Sequence, residues 1–227
     1  MSKKTAFTGG LLIDGTGREA VKDSLVLIDG KKIEYAGPKK EFGSGYEVRD
    51  ITGKTIMPGL IDSHLHFSGN LTDDDSDWVL EDPIQKTVVA VQQAHECLEH
   101  GLTTVGEISR SGLHIRNMIE AGVMTGPRVV GTGLGFARTC GHGDSHRLPL
   151  WYNEESHPWA ERVDGPWELR KAVRRRLREN PDAIKIWSTG GGVWRWDKKL
   201  DQHYTLEEIQ AVVDECNMVG IPVWSHA

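Results

Sequence analysis

From Pro58 onward the chain alternates short apolar strands with amphipathic helices, and this alternation constrains its fold more than any other feature. The first strand runs from Gly59 to His66. Pro83 then opens a helix that places Ile84, Val88, Val91, Ala94 and Leu98 on one face and stops at Gly101. Thr103 to Ile108 reads as a second strand, Leu113 to Ala121 as a short helix ended by Gly122, and Arg128 to Gly131 as a third strand. Thr132 to Pro166 carries little regular signal. Trp167 to Glu179 is helical and Ala183 to Trp187 is a fourth strand. Thr205-Leu206-Glu207-Glu208 is a capping box: the Thr205 hydroxyl can accept the Glu208 N–H while the Glu208 carboxylate reaches back. The helix it starts turns Ile209, Val212, Val213, Cys216 and Val219 inward and closes at Gly220, and Ile221 to His226 is a fifth strand. Strands and helices in this order predict a parallel α/β sheet.

Residues 1–57 follow a different grammar. Ser24 to Ile28 and Lys31 to Ala36 are strand-like runs around Asp29-Gly30, a hairpin signal, and glycine-rich punctuation surrounds them. Nothing helical interrupts, so a small antiparallel sheet is expected there.

Chemistry collects at the ends of the parallel strands, where this architecture places function. His64 and His66 close the first strand. Residues at i and i+2 of an extended segment point the same way, so both imidazoles can reach one metal ion, although solvent-facing pairs of this kind also arise by chance. Glu107 ends the second strand and His226 the fifth. Lys185 stands inside the apolar run Ile184-Lys185-Ile186-Trp187, where an ammonium must be paired, lose its charge or snorkel to the sheet edge. Gly190-Gly191-Gly192 permits close backbone approach to a ligand, or is simply a flexible loop.

A net charge of −6 argues against nucleic acid as a partner, and Arg174-Arg175-Arg176-Leu177-Arg178 reads as a solvated helix face. No run of 18 apolar residues and no leader-like segment stands in the sequence, and three cysteines far apart lack metal or disulfide spacing. These features predict a cytoplasmic protein without membrane contact. Asn70-Leu71-Thr72 matches a glycosylation acceptor but has no meaning in that compartment.

Pro58-Gly59-Leu60-Ile61-Asp62-Ser63-His64-Leu65-His66, Lys185 with Thr189-Gly190-Gly191, and Trp224-Ser225-His226-Ala227 together resemble the amidohydrolase superfamily, in its imidazolonepropionase-like and prolidase-like branch. The resemblance implies a (β/α)8 TIM-type barrel, here with about five strands over residues 58–227, preceded by a small antiparallel β-sandwich domain over 1–57. It implies a metal-dependent hydrolase of amide-like C–N bonds acting through metal-activated water on a small-molecule substrate: a dipeptide, N-acyl amino acid, cyclic amide, urea or carbamate. His64 and His66 would bind the more buried metal and His226 the second. Lys185 would carry a CO2-derived carbamate that bridges them. Zinc suits such mixed ligation best, as one or two ions. The loop from Thr139 to His146 resembles a Gly-His-Gly-Asp stretch of the prolidase-like branch, which makes His142 the candidate for orienting a substrate carbonyl or carboxylate, beside the plainer reading of a polar loop histidine. His146 and His157 receive no role. Trp151, Trp159, Trp187, Trp194 and Trp196 would frame the mouth and suit a bulky substrate, or serve as core.

The family pattern continues with a histidine on a sixth strand and an aspartate on an eighth. Five strands cannot close an eight-stranded barrel, so a fragment or truncated product is expected, poorly soluble and with little activity alone; a homo-oligomer is allowed for. The alternative is a non-catalytic remnant that binds metal or a partner chain. A doubly wound nucleotide-binding domain fails for want of a glycine-rich turn after the first strand.

Overall fold

The computed structural model describes residues 4–69, 71–72, 74, 80–150 and 159–227. The chain divides into two compact units, Met1–Gly59 and Leu60–Ala227.

The first unit contains β1 (Lys4–Thr8), β2 (Leu11–Leu12), β3 (Ser24–Asp29), β4 (Lys32–Pro38), β5 (Glu47–Asp50) and β6 (Thr55–Ile56). Its larger sheet has the order β4-β3-β1-β5. The hairpin is there: β3 and β4 pair antiparallel with Asp29 opposite Lys32, and Gly30 takes the left-handed φ of 58° that the tight turn demands. The expectation of a wholly antiparallel unit is corrected. Residues 39–46 carry the chain to the free edge of β1, where β5 pairs in parallel, and β6 pairs in parallel with β2. Ala6, Leu25 and Leu27 are buried under Tyr35, Phe42 and Tyr46.

The second unit runs β7 (Leu60–Leu65), α1 (Pro83–Glu99), β8 (Leu102–Glu107), α2 (Gly112–Glu120), β9 (Arg128–Gly131), β10 (Gly135–Ala137), β11 (Ala160–Arg162), α3 (Pro166–Leu177), β12 (Ile184–Trp187), α4 (Leu206–Val219) and β13 (Val223–His226). Its two sheets have the orders β7-β8-β9 and β11-β10-β12-β13, and every pairing in them is parallel. β9 and β10 lie on one run of chain broken at Thr132–Leu134, where Gly133 has a φ of 67°. The stretch 132–166 therefore holds two short strands that no apolar alternation announced. Among the described residues β7 and β13 are edge strands.

Local chemistry explains where the helices start. The Asp82 carboxylate accepts the Ile84 N–H at 2.8 Å, and Pro83 follows at the first helical position, where its missing N–H costs nothing. On α4 both halves of the capping box form around Thr205 and Glu208, and Gly220 closes the helix at a φ of 75°.

The buried faces differ from the expected ones. On α1, Ala90, Ala94 and Cys97 pack against Phe67, Val105, Ile115 and Val129, whereas Ile84, Val88 and Val91 are exposed. These three form a stripe on a flank that no described element covers. On α4, Ala211, Val212 and Cys216 face the core and Val219 is exposed. The main core joins Phe136, Leu169, Val173, Ile184 and Ile186 between α3, α4 and the strands, each large aliphatic residue contributing about 1.5–3 kcal/mol by burial. The arginines of α3 are held in ion pairs: Arg170 and Arg174 with Glu215, and Arg175 and Arg176 with Glu161. No helix among the described residues is long and apolar enough to cross a membrane.

Candidate functional site

His64 is the penultimate residue of β7 and His66 follows its end. Their ring centroids are 5.3 Å apart, so the alternation of an extended segment carries both imidazoles to one side. His66 Nδ1 lies 2.5 Å from the Ile108 carbonyl oxygen. A carbonyl only accepts, so Nδ1 carries the hydrogen and Nε2 keeps a lone pair. The next residue is clamped too: the Phe67 N–H donates to Glu107 Oε1 at 2.9 Å and the Ser109 hydroxyl donates to the Phe67 carbonyl at 3.1 Å. Glu107 is fully buried. Burial pushes its carboxyl up to about 7, against the pull of Ser109 and the Phe67 N–H, and its Oε2 has no hydrogen-bond partner among the described residues.

Lys185 sits on β12, all four of whose residues are buried, and is itself 2% exposed. Among the described residues no ion pair or hydrogen bond reaches its Nζ, which lies 5.4 Å from the centre of the Trp187 ring. Desolvation alone lowers its ammonium to about 8. Pairing across β12 and β13 sets Lys185 opposite Trp224 and Trp187 opposite His226. A cavity of about 510 Å³ is lined by residues of successive strands, among them Ile61, Ser63, His64, Thr104, Gly106 and Lys185.

The charge of Lys185 is felt by three imidazoles. Partial desolvation, then Lys185, His66 and His226, bring His64 down to about 4. Desolvation is also the largest cause of the lowered His66 and His226, with Lys185 adding to it in both. These rings are neutral near pH 7 and offer lone pairs. His64 is solvent-exposed and His66 half-buried, β7 being an edge strand among the described residues.

His142 joins them. Its ring stacks on that of His226 with centroids 4.6 Å apart, and its Nδ1 lies 2.8 Å from Asp197 Oδ2. Asp197 and the nearby His203 were not anticipated from sequence. The available signal was local: an aspartate in the loop that follows Gly190-Gly191-Gly192, separated from it by Val193 to Trp196, and a residue type that gathers the N–H groups of turns. His146 stacks on Trp194, whose indole N–H donates to the His142 carbonyl at 3.3 Å. Trp159 lies 5.5 Å from the His66 ring, Trp187 is buried and Trp196 is exposed beneath Arg195. Trp151, His157 and Asn70 lie outside the described residues.

The donor set suits a divalent cation. No group of three or more His, Cys, Asp or Glu side chains among the described residues could hold an ion by itself. Lys185 could add to this set only as an anion, and among the described residues its ammonium has no hydrogen-bond or ion-pair partner.

A parallel α/β scaffold carries these imidazoles and the buried lysine, and comparison with known proteins identifies its family. Residues 55–227 match the model of the Amidohydrolase family, and the chain belongs to that family. Over 99% of its length it is 28% identical to ochratoxinase of Aspergillus niger, covering 50% of that protein. The crystal structure of A. niger ochratoxinase superposes with a TM-score of 0.88 at 26% identity, covering all of this chain and 56% of that one. A prolidase crystallised with N-methylphosphonate-L-proline gives a TM-score of 0.86 at 26% identity, covering 99% of this chain and 56% of that one. Imidazolonepropionase of Streptomyces griseus is 28% identical over 48% of this chain and 33% of its own length. The chain thus spans about half the length of the ochratoxinase it matches.

Proposed function

We propose that this chain supplies the first five strands of a (β/α)8 barrel and most of the metal site of a hydrolase that cleaves amide-like C–N bonds. The observation that carries the reading is Lys185: a buried amine with no hydrogen-bond or ion-pair partner among the described residues, beside three neutral imidazoles. Dipeptides and N-acyl amino acids are the favoured substrates, with cyclic amides, ureas and carbamates next. The similarity to a prolidase and to ochratoxinase supports that order.

His64, His66, His226 and Lys185 would hold the metal, with zinc the ion that best suits nitrogen and oxygen donors together. When bound, a divalent ion supplies Lewis acidity and lowers the pKa of water. The protein's own residues do the rest. With its pKa near 8, Lys185 has an accessible neutral amine, which adds CO2 through a new N–C bond and releases a proton. The cation thereby becomes an anion. The Ile108 carbonyl fixes the His66 tautomer, and the Glu107–Phe67 hydrogen bond holds the segment behind it. His142 lies where it can orient a substrate carbonyl or carboxylate.

Metal analysis combined with intact mass tests the reading. One CO2 on Lys185, lost on acidification, and metal retention that falls in His64→Ala are the expected results. Metal retention unchanged in that variant, with Lys185 unmodified, would remove the basis for the site. The activity itself is proposed for a barrel in which the remaining strands are also present.

A further inference from the structure

We propose that Asp197 is a positioning residue for His142: it keeps the hydrogen on Nδ1 and leaves Nε2 as the ring nitrogen open to a ligand. Asp197 is completely buried. Its Oδ2 receives His142 Nδ1 at 2.8 Å and the Val193 N–H at 3.1 Å, and its Oδ1 receives the Gly191 N–H at 2.8 Å. Burial pushes this carboxyl up, yet the bonds from His142, Gly191 and Val193 outweigh it and hold the group below the usual carboxylate range. It is therefore ionised near neutral pH. A carboxylate has no hydrogen to give, so His142 Nδ1 must be the donor.

A second imidazole fits the same logic. His203 Nδ1 accepts the His142 backbone N–H at 3.3 Å, so the His203 hydrogen belongs on Nε2, which lies 3.6 Å from Asp197 Oδ1. One aspartate thus stands between two histidines in fixed tautomers.

The surroundings leave the ring little freedom. His142 lies against the bare backbone of Gly191, where an added Cβ would fall 1.9 Å from Cε1, and stacks on His226. Its main chain is tied at both ends, the N–H to His203 and the carbonyl to the Trp194 indole. An aspartate that only stabilised the loop would need the Gly191 and Val193 bonds and nothing more. The third bond, to a ring nitrogen, adds control of which atom of His142 meets a bound molecule. Neutral His142 then accepts at Nε2 from an N–H or O–H, and protonated His142 donates from that same atom. The proposal rests on the hydrolase reading only for what Nε2 meets.

The test uses the full 227-residue chain without added metal, labelled with 15N in histidine. Long-range 1H–15N correlation spectra distinguish the two tautomers, and His142→Gln assigns the signals. In the parent, neutral His142 should show a protonated Nδ1 and an unprotonated Nε2. Asp197→Asn should shift the ring to the Nε2–H form. Gly191→Ala, which keeps the carboxylate but displaces the ring, should do the same. A parent ring with its hydrogen on Nε2, or an unchanged pattern in Asp197→Asn, would overturn the proposal. If Asp197→Asn does not fold, the parent and Gly191→Ala spectra still decide. Failure to find metal or CO2 would leave this result untouched.

Discussion

His64 and Lys185 line one cavity, and the ammonium of the second helps keep the imidazole of the first neutral. Replacing Lys185 by Met removes the charge while filling similar space. His64 should then titrate above its present value of about 4 yet remain under the ordinary 6.5, since desolvation is the larger cause. Following the His64 Cε1 proton by NMR across pH in metal-free protein measures this. An unmoved His64 midpoint in Lys185→Met would mean the two groups do not interact.

Glu107 makes stability depend on pH in a direction opposite to that of most carboxylates. Its folded pKa of about 7 exceeds the 4.5 of an exposed glutamate, so the folded state binds the extra proton between those values. Stability should fall as pH rises through that window, by a total on the order of 3 kcal/mol. Glu107→Gln carries no titrating group and should flatten the slope. Urea unfolding at a series of pH values provides the check.

Thr205→Ala removes the hydroxyl half of the capping box on α4, leaving the backbone N–H of residue 205 to donate to Glu208, and should cost about 1 kcal/mol. Thr205→Ser should recover most of it. Equal midpoints for the alanine and serine variants would show that the cap contributes nothing.

Two isoleucines separate burial from hydrophobicity. Ile184 is fully buried between β12 and the helices, and Ile184→Ala should cost about 2–5 kcal/mol. Ile84 is 76% exposed on α1, and Ile84→Ala should change stability by less than about 0.5 kcal/mol. Thermal or denaturant unfolding of the pair reads the contrast directly.

Much of this was legible because periodicity and caps act locally. The Thr205–Glu208 box, the Gly30 turn and the apolar run around Lys185 needed nothing beyond their neighbours in sequence. What escaped depended on distant partners. Ile84, Val88 and Val91 form a valid apolar stripe, but periodicity cannot say which flank of a helix finds a neighbour. β10 and β11 are three residues each, too short for alternation to register. Asp197 acquires its significance from His142, 55 residues earlier in the chain, a distance over which spacing rules are silent. His64 and His66 were readable as a pair because two residues of extended backbone fix their common side, whereas their exposure follows from a place in the sheet order that no single strand encodes.

Two of the edge strands, β7 and β13, carry three of the four candidate ligands at or just beyond their ends. Among the described residues each presents one row of amide and carbonyl groups with no sheet neighbour, and such rows recruit further β-structure. Zipping an extra strand onto either rim would therefore stiffen a histidine-bearing tip in the same act. If the chain forms part of a closed, metal-binding barrel as proposed, closure and sharpening of the ligand geometry are coupled, and ion affinity and resistance to unfolding should rise together.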